Sequence, residues 1–226
     1  MTPFHLIIEP GTPFVIPNDA IQLDALLYYC IGSRWDISEP AAVIECMREY
    51  LAFDEEIGVF KASAMTMLVT PEEGVSLGSI QRVDDLRNKL TREIFAAKNK
   101  SILLAGGPTK KRLTQRQSYF APYLHFHGVG DGGAIRQLLM QHLPGIGTDA
   151  RTASSGEFVS ARVIPGDFSY VEDGKALRRL PLKYGQQLGL KNPEPVCLTP
   201  PYYHKEQVLG FAPDRIIVKS LSHYFS

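Results

Sequence analysis

Leu124 and Phe126 alternate with Tyr123, His125 and His127, the period of two that predicts a half-buried strand with one apolar and one polar face. Glycines and Asp131 then interrupt the pattern, and Asp131 is placed to cap a following helix. In that helix Ile135, Leu138 and Leu139 form one apolar stripe, while Arg136, Gln137 and Gln141 face outward. Pro144 ends it. A loop bounded by Gly145, Gly147 and Gly156 follows, carrying Thr148, Arg151, Thr152, Ser154 and Ser155. Phe158, Val159, Val163 and Ile164 predict the returning strand.

The rest of the chain repeats this grammar. Phe4 to Ile8 predicts a first strand, and a loop punctuated by Pro10, Pro13 and Pro17 follows it. Asn18 or Asp19 is placed to cap a helix striped by Leu23, Leu26, Leu27 and Cys30 and ended near Gly32. A second helix has Ser38 as its cap, Pro40 in the first turn, and Val43, Ile44, Met47 and Leu51 along one face. Gly58 to Thr70 is rich in β-formers and predicts one long strand, and Gly78 to Val83 another. Asp84 then starts a helix striped by Leu86, Leu90 and Ile94, followed by a short apolar run, a Gly-Gly-Pro turn and a basic tail. Phe168 to Val171 and Ala176 to Leu182 flank an Asp173-Gly174 turn and predict a hairpin, with a last strand at Arg215 to Val218. With residues 72–118 set aside as an insertion, the order is strand, helix, strand, strand, helix, strand. That order predicts an α+β, ferredoxin-like (RRM-like) fold over residues 1–165, with two helices on one face of an antiparallel sheet. The open face is the one on which RNA-recognition modules stack bases. Residues 166–226 read as a β-rich extension packed on that domain.

Composition changes the picture in its distribution more than in its totals. The 226 residues carry 24 basic and 24 acidic side chains, so net charge alone points to no partner. The segment from Asp36 to Glu73 is acidic, whereas Arg87 to Arg116 holds basic residues with Glu93 as their only acidic neighbour. Such asymmetry predicts one surface that faces a polyanion. Cys30, Cys46 and Cys197 are scattered and show no CxxC spacing, which fits a reducing cytoplasm. No basic leader with an apolar run and no membrane-length apolar stretch is present, so a cytoplasmic protein without a membrane is expected.

Four patterns bear on chemistry. The glycine-rich loop combines close backbone approach, hydroxyl donors and Arg151, a composition suited to binding an anion. GVGDGG matches G-x-G-x-x-G through Gly128, Gly130 and Gly133, yet no acid ends the next strand as a dinucleotide site requires, and Gly106, Gly107, Lys110 and Lys111 have the wrong spacing for a phosphate-binding P-loop. Ser154 and Ser155 lack a nucleophile-elbow context. His125 and His127 share a strand face, so they are candidates for metal-independent RNA cleavage, or for metal binding with His142, Asp131 or Glu157 as a third ligand. The fourth pattern is the basic insertion with Lys98, Lys100, Lys110, Lys111, Arg112 and Arg116, followed by the aromatics Tyr119, Phe120 and Tyr123 that could stack on bases. If about five of the cations touch single-stranded phosphates, log K falls with log salt at a slope near −3.5.

The stretch LLMQHLPGIGTDARTASSGEFVSARVI, a helix and glycine-rich loop closing such a unit, resembles the RAMP superfamily of CRISPR-associated proteins. IQLDALLYYCIG is similar to the LD-x-LL first helix of RAMP-type subunits in type IV effector complexes. The inserted basic segment and β-rich C-terminal part also resemble the Cas-five-like subunit, which caps the 5′ handle of the guide RNA. The resemblance covers most of residues 1–164. It departs at the loop end, where many RAMP loops read glycine, aromatic, glycine but Glu157 and Phe158 follow Gly156. The resemblance implies that Gly145, Gly147, Arg151, Ser155 and Gly156 cradle the handle backbone. It implies that the insertion is a thumb, that a separate Cas-six-like subunit does the cutting, and that this chain is non-catalytic. The partners it implies are crRNA, a Cas-seven-like backbone subunit, a large or Cas-eight-like subunit and, in the assembled complex, target DNA. No cofactor and no metal are implied.

Overall fold

Phe4, Leu6 and Ile8 lie buried on one side of strand β1 (Thr2–Pro10), and His5 and Ile7 lie on the other, so the strand has two covered faces. The computed structural model describes residues 1–84, 112–148, 155–203 and 206–221. In chain order β1 is followed by helices α1 (Leu23–Trp35) and α2 (Pro40–Met47), and by strands β2 (Phe53–Asp54), β3 (Val59–Phe60) and β4 (Thr66–Val69). Next come β5 (Ser76–Asp84), β6 (Arg112–Phe120), β7 (Tyr123–Gly130), helix α3 (Gly132–His142) and β8 (Phe158–Pro165). The C-terminal part holds β9 (Val171–Glu172), β10 (Lys175–Ala176), β11 (Leu180–Pro181), helix α4 (Leu182–Gln187), β12 (Glu194–Val196), β13 (Val208–Phe211) and β14 (Ile217–Ser220).

The fold is α+β. Its main sheet has five strands in the order β14-β4-β7-β1-β8. β1 pairs antiparallel with β7, Leu6 opposite Phe126, and with β8, Leu6 opposite Val163. β4 runs antiparallel to β7, and β14 runs parallel to β4 at the edge. The alternation places Phe4, Leu6, Ile8, Leu124 and Phe126 on one face, where Leu23, Leu27, Cys30 and Ile31 of α1 and Ile135, Leu138 and Leu139 of α3 complete one core. A smaller core joins Ile57 and Val59 to Ala176, Leu180, Leu190 and Phe211 beside a three-stranded sheet β11-β13-β12. Residues from both sides of position 165 thus build this core, and β14 returns to the main sheet.

Several local expectations are corrected. The stretch from Gly58 to Thr70 is two short strands joined by a crossing segment, because its amides find different partners: Ser63 N donates to His127 O at 2.8 Å, Ala64 N to Leu177 O at 2.6 Å and Met65 N to Ile21 O at 2.7 Å. Helix α1 begins after Gln22 rather than at an Asn18 or Asp19 cap, and passes Gly32 to end at Asp36, whose φ is 51°. Helix α2 starts after Glu39, not Ser38, and stops before Leu51, which bridges Gly130. Asp84 is the last residue of a strand, and Arg112–Phe120 is its antiparallel partner rather than a loose basic tail. The stripe Leu86, Leu90 and Ile94 lies outside the described residues. The Asp173-Gly174 turn is present, with φ of 51° and 71° as a two-residue hairpin requires, but its strands are two residues each.

One polar network joins the two cores. Arg178 and Asp24 pair at 3.4 Å with both side chains fully buried. Arg178 also donates from Nη2 to Leu198 O at 2.9 Å, from Nε to Arg179 O at 3.1 Å and from Nη1 to Phe60 O. Tyr202 donates its hydroxyl to Asp24 Oδ2 at 2.6 Å. Burial and the neighbouring Asp24 carboxylate hold that phenol well above the ordinary tyrosine range. Removing one member of a buried pair strands the other charge in a dry site, at a cost of about 3–5 kcal/mol. Asp24→Ala therefore lowers the urea midpoint by that much stability, whereas Asp24→Leu with Arg178→Met recovers most of it; equilibrium unfolding of the three variants is the check.

Candidate nucleic-acid interface

The hairpin β5–β6 pairs continuously from Ser76 opposite Phe120 to Asp84 opposite Arg112, and it is inserted between sheet strands β4 and β7. Exposed side chains on its described part include Leu77, Ser79, Gln115, Arg116 and Gln117. Lys98, Lys100, Lys110 and Lys111 lie between its strands in sequence and, like Arg151, fall outside the described residues. At the root, Phe14 N donates to Tyr119 O and Tyr119 N to Phe14 O, both at 2.8 Å. This pairing turns the Tyr119 side chain into the core, where it is 7% exposed and donates to Gln117 Oε1 at 3.2 Å. Tyr119 is therefore a packing residue, not a platform for a base. Tyr123 stays half-buried, with the Arg162 guanidinium 5.9 Å from its ring centre.

The glycine-rich loop meets the same proline-punctuated segment. Thr148 N donates to Val15 O at 2.8 Å, Gly156 N to Pro13 O at 3.0 Å and Ile146 N to Gly156 O at 3.0 Å. Ser155, itself buried, accepts from Val15 N at 3.3 Å through its hydroxyl oxygen. Gly147 has φ of +89°, and a Cβ there would stand 2.3 Å from Val15 O, so no other residue fits without moving the strand-like segment. The expected phosphate cradle is corrected on this point. The amides of Ile146, Thr148, Gly156 and Glu157, and the Ser155 hydroxyl, are engaged within the protein, and Gly147, Ser155 and Gly156 seat residues 13–15 against the loop.

The polar face of β7 is also closed. His125 is 2% exposed and His127 half-buried, and the third ring beside them is His5 of β1, not His142, Asp131 or Glu157. Ring centres of His5 and His125 are 4.8 Å apart, and those of His125 and His127 6.0 Å. The period-two pattern of Phe4 to Ile8 already carried His5 on that face; only the pairing register, His5 opposite His127, brings it into the cluster. The start of the C-terminal part lies over them: Phe168 packs 5.5 Å from His127, His5 Nε2 lies 3.2 Å from Asp167 O, and Lys219 pairs with Glu172 nearby. Asp131 instead caps α3, its Oδ1 accepting from Ala134 N at 2.9 Å. That carboxylate at the helix N-terminus opposes a phosphate there, and Gly130 is required because a Cβ would lie 2.1 Å from Tyr50 O. Among the described residues no group of three or more His, Cys, Asp or Glu side chains is placed to hold a metal ion.

A general acid must reach the proton it transfers. His125 does not meet that condition, so the catalytic reading is corrected for His125, and the stacking role is corrected because the start of the C-terminal part lies over this face. No protein-family model matches the chain, and no curated protein is similar to it. Among the described residues no helix is long and apolar enough to cross a membrane.

The buried histidines carry a pH dependence. Burial, then the positive charge that His127, His5 and Lys219 would present, pulls His125 down to about 2; burial, then His5, pulls His127 down to about 4. The unfolded chain takes up these protons near pH 6.5, so below that value it binds more protons than the native state does. Their contribution to stability is complete above pH 6.5 and is lost as pH falls toward 4, at up to about 1.4 kcal/mol per pH unit per ring. Urea unfolding at pH 7, 6 and 5 is expected to follow that slope, and His127→Gln to flatten it by about half.

Proposed function

We propose that this chain is a guide-RNA-binding scaffold subunit of a type IV CRISPR ribonucleoprotein, a RAMP-type, Cas-five-like protein that holds the 5′ handle of the crRNA without cutting it. The observation that carries the reading is the hairpin β5–β6, a two-stranded arm with the most basic stretch of the chain between its strands. Its root is locked to the glycine-rich loop through Phe14 and Val15. Strand order supports the ferredoxin-like assignment: β4-β7-β1-β8 with antiparallel neighbours, β1 and β7 central, and α1 and α3 on one face. The arm enters between the second and third strands of that unit, the place a thumb occupies in the resemblance.

In this reading the cations of the arm contact phosphates, while the glycine-rich loop positions the arm rather than cradling RNA with its own amides. The buried histidines weigh against the alternative, a metal-independent endoribonuclease acting on CRISPR precursor RNA. Partners are crRNA, a Cas-seven-like backbone subunit, a large or Cas-eight-like subunit and target DNA in the assembled cytoplasmic complex. The LD-x-LL helix gains a structural reason, since Leu23 and Leu27 enter the main core and Asp24 holds Arg178.

The test is binding of the purified protein to labelled single-stranded RNA across a salt series, with and without magnesium, with the products run on a gel. Magnesium-independent, salt-sensitive binding of RNA that stays intact is expected. Replacing Lys110, Lys111 and Arg112 together by alanine is expected to reduce the magnitude of the log K against log salt slope by about 2. A discrete cut would return the ribonuclease reading, and absence of binding at low salt would remove RNA recognition by the isolated chain.

A further inference from the structure

At the foot of the arm, Arg116, Gln117, Thr148, Asn18 and Arg215 line a cleft of about 370 Å³ between the hairpin, the glycine-rich loop and the C-terminal part. No carboxylate lines it among the described residues. Arg215 lies 99 residues beyond Arg116 in sequence and just before β14. Its guanidinium donates from Nε to Pro17 O at 2.6 Å and from Nη2 to Ile16 O at 2.8 Å. Those two successive carbonyls fix one edge of the planar group without cancelling its charge. The other edge, formed by Nη1 and the second Nη2 hydrogen, has no carboxylate partner among the described residues.

Three other arginines meet carboxylates instead. Arg48 meets Glu45 and Glu55, Arg178 meets Asp24, and Arg179 meets Asp19. The neighbouring acid, Asp214, is taken by Lys175 at 2.7 Å. Arg215 is thus an exposed cation held in place by neutral groups, beside the exposed Arg116 and the half-buried Thr148. The cleft is also preorganised. The carbonyls that orient Arg215 belong to the segment whose Phe14 pairs with Tyr119 and whose Val15 O receives Thr148 N. A guanidinium held by one edge, a second cation and a hydroxyl around a cleft that no carboxylate lines among the described residues match the tetrahedral oxygens of a phosphate.

We propose that this cleft is a seat for a backbone phosphate of single-stranded RNA, with Arg215 and Arg116 as its cationic pair and Thr148 as a donor. The identity of the ligand as RNA rests on the function proposed above; the seat as a phosphate site rests on the geometry alone.

The two are separable by experiment. Arg116→Gln, Arg215→Gln, the double variant and Lys183→Gln, an exposed lysine on α4 as control, are titrated with labelled single-stranded RNA from 50 to 300 mM salt. Inorganic phosphate binding is measured beside it by calorimetry, and thermal melting confirms that each variant is folded. The double variant is expected to bind roughly tenfold more weakly at 150 mM salt with a slope shallower by about 1.4, and Arg116→Gln alone to change the slope by about 0.7, with the control unchanged. Arg116 sits on the hairpin and Arg215 on the C-terminal part, so the Arg116 variant reads the cleft from a second element, with melting as its own check of the fold, even if Arg215→Gln loosens the structure. Wild-type slopes in both arginine variants, with RNA binding intact, overturn the seat. Saturable phosphate binding that the double variant loses, in a protein that binds no RNA, keeps the seat and overturns RNA as its ligand. Neither RNA nor phosphate binding overturns both.

Discussion

Arg178 has no solvent exposure, and a polar network that joins the two cores is centred on it. A guanidinium removed from water is costly unless each of its donors is met and its charge balanced. Here the balance comes from Asp24 in the first turn of α1, and the donors are met by carbonyls of Phe60, Arg179 and Leu198. Those groups come from the first helix, the β2–β3 ribbon and two stretches of the C-terminal part. An apolar side chain in the same place would tolerate a shift of the C-terminal part across the sheet. An arginine with a planar fork does not, because each displaced hydrogen bond leaves a buried donor unmet. The network therefore fixes register more than it adds stability, and the C-terminal cover over His5, His125 and His127 depends on that register.

The segment from Pro13 to Pro17 is the second point of convergence. It is short and proline-interrupted, yet Phe14 pairs with the arm, Val15 with the glycine-rich loop, and the carbonyls of Ile16 and Pro17 with Arg215. Prolines limit the conformations open to such a segment and lower the entropy lost in fixing it. Three elements remote in sequence are thereby held at one end of the sheet without a regular strand of their own.

Period-two and period-3.6 patterns revealed the elements whose environment is set by one face alone: β1, β7, α3 and the stripe of α1. They failed where partners change residue by residue. Lys61 to Met65 looks like strand because Ala62 to Met65 are buried, but its five amides go to five different carbonyls, those of Ala52, Phe60, His127, Leu177 and Ile21. Arg178 reads as a solvated position in KALRRLPL, since nothing local announces a carboxylate 154 residues away. The glycines of the loop were recognisable as sites of close backbone approach. Whether the approaching group was a phosphate or Val15 O depended on the proline segment, whose pairing no local pattern encodes. Arg215 was hidden for the same reason, as part of an ordinary strand start.

On the proposed function, closure of the histidine face decides what kind of RNA interface the chain would form. Sheet-face recognition works by stacking bases on exposed aromatics, and sequence is read from the edges of those bases. Phe168 packs against His127, Tyr119 is turned inward and Tyr123 is half-buried, so the histidine face lacks such a platform among the described residues. What the described residues expose at the arm and its root includes the cations Arg116 and Arg215 beside Ser79, Gln115, Gln117 and Leu77. Phosphate contacts set position and register but do not distinguish one base from another. On the proposed function, then, the described surface fixes where the guide RNA backbone runs, and its affinity is electrostatic and salt-dependent. On the same reading, selection of a particular handle would come from groups beyond this surface, either the basic stretch between the strands of the arm or neighbouring subunits of an assembled complex.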